Sequence, residues 1–107
     1  MARVLAVADL MLGSKIEATL RAAGHEVTLS PSLQEADLDG VELIVADLDT
    51  ENAEALVGLG VPVLGFYSHV NAETRELAEA AGVDLVVPRS RLAREMPGLA
   101  ARLLDPS

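Results

Sequence analysis

Short apolar runs alternate with helix-like segments along the whole chain, and this alternation limits the fold more than any other feature. Residues 4–8, 43–46, 61–66 and 85–87 carry no polar side chain. Strands buried on both faces read this way, because helices cover the sheet on each side. Residues 25–29 differ. They alternate polar and apolar, as a half-exposed edge strand does.

The segments between have helical spacing. Residues 11–23 place Leu12, Ile16, Leu20 and Ala23 on one face, and Gly24 ends them. Ser14 and Glu17 offer a capping box inside that segment, which leaves its start open by a turn. Residues 31–37 suffice for one or two turns. A helix over 51–59 follows a cap at Asp49 or Thr50, and one over 72–81 follows Asn71 and stops at Gly82. The last segment takes Ser90 as its cap, and Pro97 divides it. The order β-α-β-α-β-α-β-α-β-α implies a parallel sheet with right-handed crossovers. With the second strand at an edge, the expectation is an α/β, doubly wound, flavodoxin-like fold of five strands in order 2-1-3-4-5. All of 1–107 belongs to this one domain.

Composition fills in the rest. Half of the 107 residues are hydrophobic, yet Phe66 and Tyr67 are the only aromatics, so the core is aliphatic. The absence of cysteine removes disulfides, thiolate zinc sites and thiol nucleophiles. A net charge of -9 disfavours nucleic acid and anionic membrane surfaces. Arg89, Arg91 and Arg94 are the one weak basic grouping. Arg3 before an apolar run imitates a signal peptide, but Asp9 ends the run too soon. No stretch approaches the roughly 18 apolar residues of a membrane span, so a soluble, cytoplasmic chain is expected.

In an open parallel sheet, ligands bind beyond the carboxyl ends of the strands. That rule selects Asp9, Asp47, Asp49, Tyr67, Ser68, His69, Arg89 and Ser90 as a shared pocket. Asp9 and Asp47 could hold a weak Mg²⁺, since that ion takes hard oxygens and keeps several waters. Asp49 either adds a third carboxylate or caps the next helix. Arg89 either clamps an anion or closes the pocket on Asp47 or Asp9. Ser68 and His69 point in opposite directions on an extended chain and do not pair as a hydrolase would need. Gly58, Gly60 and Gly65 do not stand where a dinucleotide fingerprint would.

On these residues the sequence resembles the response-regulator receiver domains of two-component signalling, across nearly its whole length. Residues 41–47, Val-Glu-Leu-Ile-Val-Ala-Asp, resemble the receiver strand that ends in the phosphorylated aspartate. Residues 62–68, Pro-Val-Leu-Gly-Phe-Tyr-Ser, resemble the strand that ends in a hydroxyl residue, and 82–88, Gly-Val-Asp-Leu-Val-Val-Pro, the run into a lysine–proline pair. The resemblance assigns Asp47 the phospho-acceptor position and Asp9 the second place of the acidic pair. The departures are specific. Ala8 fills the first acidic place, Tyr67 stands where threonine or serine is expected, and no lysine occurs near the fifth strand. The resemblance thus implies a degenerate, pseudo-receiver-like member, with impaired or absent phosphorylation and no enzymatic activity. Its expected role is a stand-alone signalling and protein-interaction module, with an unknown protein partner and a weak homodimer. The alternative is a sensor of a phosphate or carboxylate anion at Arg89 and Ser90.

Overall fold

The computed structural model describes residues 2–68, 70 and 72–105. Five parallel strands, β1 (Arg3–Val7), β2 (Glu26–Ser30), β3 (Leu43–Asp47), β4 (Val63–Tyr67) and β5 (Leu85–Pro88), form one sheet in order β2-β1-β3-β4-β5. Four α-helices lie between or after them: α1 (Leu10–Ala22), α2 (Ala53–Val57), α3 (Ala72–Ala81) and α4 (Arg89–Leu104). A single 3₁₀ turn, Leu33–Glu35, stands in the connection between β2 and β3. The expected flavodoxin-like fold and strand order are therefore present.

The period-2 alternation of the strands sorts the core into two layers. Val4, Ala6, Leu43, Val45, Leu64 and Phe66 face one way and pack with Ile16 and Leu20 of α1 and with Leu92, Met96 and Leu99 of α4. Leu5, Val7, Ile44, Ala46 and Val63 face the other way and meet Leu56 of α2 and Ala78 of α3. Each large side chain so buried stabilises the fold by about 1.5–3 kcal/mol relative to exposure. Gly24 and Gly82 each adopt a φ of +96°, which lets the chain leave α1 and α3 abruptly where a Cβ would be strained.

Several boundaries differ from expectation. Helix α1 starts at Leu10, because Oδ1 of Asp9 accepts from the Leu12 backbone N–H at 2.8 Å and ends the strand–helix turn early. The Ser14–Glu17 capping box is not used. Helix α2 is capped by Asn52, whose Oδ1 accepts from Ala55 N–H at 3.0 Å, and not by Asp49 or Thr50. Pro88 is the N-cap of α4, and Ser90 lies inside its first turn. Pro97 does not divide α4, which runs unbroken through it. Burial of Met96, Leu99 and Ala100 on the same face holds the turns on either side of the proline in line. No helix among the described residues is long and apolar enough to cross a membrane.

Candidate functional site

The site is set by where β3 stops. Leu43 and Val45 face the α1–α4 layer, and Asp47 continues their alternation at the last position of the strand. Its side chain is only 3% exposed. Arg89 opens α4, directly after β5, and places its Nη2 3.2 Å from Oδ2 of Asp47. The guanidinium itself stays about half exposed, at 47%. The other carboxylate oxygen, Oδ1, accepts from the backbone N–H of Asp49 at 2.9 Å. Burial pushes the Asp47 carboxyl above its ordinary range, and the Asp49 N–H and Arg89 hold it back only in part.

Asp49 is drawn into the same corner by a different strand. Its Oδ2 accepts from the backbone N–H of Ser68, just past β4, at 2.8 Å. Asp47, Asp49, Ser68 and Arg89 thus form one hydrogen-bonded chain across the ends of β3, β4 and β5. The Asp49–Ser68 link spans nineteen positions, and nothing in the local sequence announces it.

Other expected members are not joined to that chain by any described bond. Asp9 is exposed and serves as the cap of α1. Tyr67 follows the alternation of β4 to the opposite layer and is 7% exposed in the α2–α3 core, on the far face from Asp47. Ser90 is exposed on the first turn of α4. His69 lies outside the described residues, as does the Asn71 proposed as a helix cap.

The fit of this corner to Mg²⁺ is poor. Both oxygens of Asp47 already have donors, and the Arg89 guanidinium puts positive charge where a cation would have to approach. No cluster of three or more His, Cys, Asp or Glu that could hold a metal occurs among the described residues. The side chain of Ala8 is a buried methyl group, with no carboxylate oxygen to offer. What the arrangement can do is hold a buried carboxylate in one orientation and present a half-exposed guanidinium beside it.

No family model and no curated protein matches the sequence. Solved structures do resemble the fold. A CheY-like response-regulator receiver domain protein from Methanospirillum hungatei JF-1 superposes with a TM-score of 0.84 at 18% identity, over 99% of this chain and 95% of that one. The non-phosphorylated HemR receiver domain from Leptospira biflexa gives 0.79 at 21% identity, over 98% and 95%. The Vibrio cholerae chemotaxis protein CheY4 gives 0.80 at 21%, over 97% and 99%. The chain therefore has the receiver fold from end to end of those domains.

Proposed function

We propose that this chain is a receiver-like signalling module that acts by protein contact in the cytoplasm and accepts a phosphoryl group on Asp47 slowly or not at all. The Asp47–Arg89 pair carries the reading. Phosphoryl transfer to a carboxylate needs a free oxygen nucleophile and several positive charges to meet the anionic group. At Asp47, Oδ2 is bound to Arg89 and Oδ1 to the Asp49 N–H. Asp47 is buried, Ala8 has no side-chain oxygen for a metal, and the chain's one lysine, Lys15, lies on α1 and not on β5 or the turn after it.

The same pair weighs against the anion sensor. A sensor would offer Arg89 to its ligand, whereas here a resident carboxylate already holds it. Nothing in the hydrogen-bonded chain from Asp47 to Ser68 pairs a nucleophile with a base, so the module is not an enzyme in this reading. Self-association through α3, β5 and α4 is weak, because Arg75–Glu79 and Arg91–Glu95 close as ion pairs within their own helices.

The test is incubation with acetyl phosphate and Mg²⁺, read by intact mass, beside Asp47→Asn. The expected result is slow labelling or none. Rapid stoichiometric labelling that disappears in Asp47→Asn would overturn the reading.

A further inference from the structure

On the face opposite Arg89, helices α2 and α3 leave a cavity of about 260 Å³ between them. Leu48, Ala78 and Ala81 form its apolar floor, Leu77 stands at its edge 62% exposed, and Glu51 and Glu54 line its rim. Residues 51–81 carry five glutamates, at 51, 54, 73, 76 and 79, against one arginine, Arg75. We propose that this groove docks a basic amphipathic helix of a partner protein. The proposal rests on the interaction-module reading and gives that module's partner a chemistry.

Two features of the groove select this occupant. An apolar floor with an exposed leucine at its edge suits the anchor side chains of a helix laid into a groove. The rim carboxylates of Glu51 and Glu54 suit lysine or arginine on that helix's flank, and the net charge of -9 draws a basic partner from a distance. A second copy of the chain fits less well. On its opposite face Arg21 pairs with Glu17 at 3.0 Å, Arg89 with Asp47 at 3.2 Å and Arg91 with Glu95 at 3.3 Å, and a net charge of -9 on each copy opposes their approach.

The experiment is an amide chemical-shift titration of the full chain with three synthetic peptides. One has leucines at i, i+3, i+4 and i+7 with lysine and arginine elsewhere. The second replaces the basic residues by glutamate, and the third is the basic composition in scrambled order. The expected result is saturable binding of the first peptide alone, with shifts over residues 48–57 and 72–82. Leu77→Ala and Glu54→Lys each weaken it about ten-fold, the first by removing apolar contact area and the second by setting a like charge against the basic peptide. Four results would overturn the proposal: no shifts, shifts on α1 and α4, equal binding of the scrambled or acidic peptide, or indifference to Leu77→Ala. Concentration-dependent shifts of the groove without peptide would also overturn it, by making a second copy the occupant. Phosphodonor labelling is read on a different face, so either test can fail while the other stands.

Discussion

Oδ2 of Asp47 lies 3.2 Å from Nη2 of Arg89, so a nearly buried carboxylate is covered by a guanidinium that still reaches solvent. The pair joins the end of β3 to the start of α4, forty-two positions later. Its two ends behave differently. Arg89 can turn out to water at little cost, while Asp47 depends on the partners it has.

Replacing Asp47 separates its two roles. In Asp47→Asn the side-chain oxygen still accepts from the Asp49 N–H, and only the ionic contact to Arg89 is lost. In Asp47→Ala that N–H loses its acceptor, which costs about 1–3 kcal/mol. Urea denaturation should therefore rank Asn clearly above Ala. Equal stability of the two variants would mean that the Asp49 contact is dispensable.

Acidity changes the comparison with a definite sign. Burial raises the folded-state pKa of Asp47 above its ordinary value of 3.8. The folded chain then holds this proton more tightly than the unfolded one. Asp47's contribution is fully present below about pH 3.8 and is lost as pH rises through the higher folded value. Unfolding curves of the protein and of Asp47→Asn, taken across that window, should show the gap moving in favour of Asn as pH increases. A gap that stays constant would contradict the raised value.

Gly65 predicts a packing conflict on the other layer. A Cβ built there would sit 2.6 Å from Cδ1 and 2.8 Å from Cγ of Leu48, so the whole isopropyl group would have to move. Gly65→Ala should cost about 1–3 kcal/mol by overpacking. Leu48→Ala in the same chain should recover part of that loss, which a double-mutant cycle reads as coupling between the two sites.

Pro97 lies exposed in the middle of α4, where it removes one backbone N–H from the helix. Pro97→Ala should stabilise the protein by about 1–2 kcal/mol. A regained helical bond and better propensity outweigh the added freedom of the unfolded chain. Thermal unfolding gives the sign, and a lower midpoint would show that the proline's rigidity matters more than the missing bond.

The strands were legible because both their faces are buried, which writes an uninterrupted apolar run into the sequence. The strand order followed from the one run, residues 25–29, that alternates instead. Helix ends were less legible, since Ser14 with Glu17, Asp49 and Ser90 all have capping chemistry, while among the described residues Asp9 and Asn52 are the ones that cap an α-helix with a side chain. Tertiary partners decide which. Asp49 is taken by Ser68 across the sheet, leaving Asn52 to cap α2. Pro97 read as a break because its local cost is visible in sequence, while the burial of Met96 and Leu99 that overrides it is not. At the site, the strand-end rule found Asp47 and Arg89 and left open whether they pair. Tyr67 was placed with them because a terminal strand residue can be assigned to either face until the register is known.

Whether Arg89 holds Asp47 is read most directly from the carboxyl carbon of Asp47, followed by NMR through an acid titration in the protein and in Arg89→Ala. The midpoint should lie above 3.8 in the protein and rise further in Arg89→Ala, because a positive charge that favours the carboxylate has been removed. A midpoint that Arg89→Ala leaves unmoved or lowers would contradict the pairing on which the proposed function rests, whereas a midpoint at or below 3.8 in the protein would contradict the dominance of burial over that pairing.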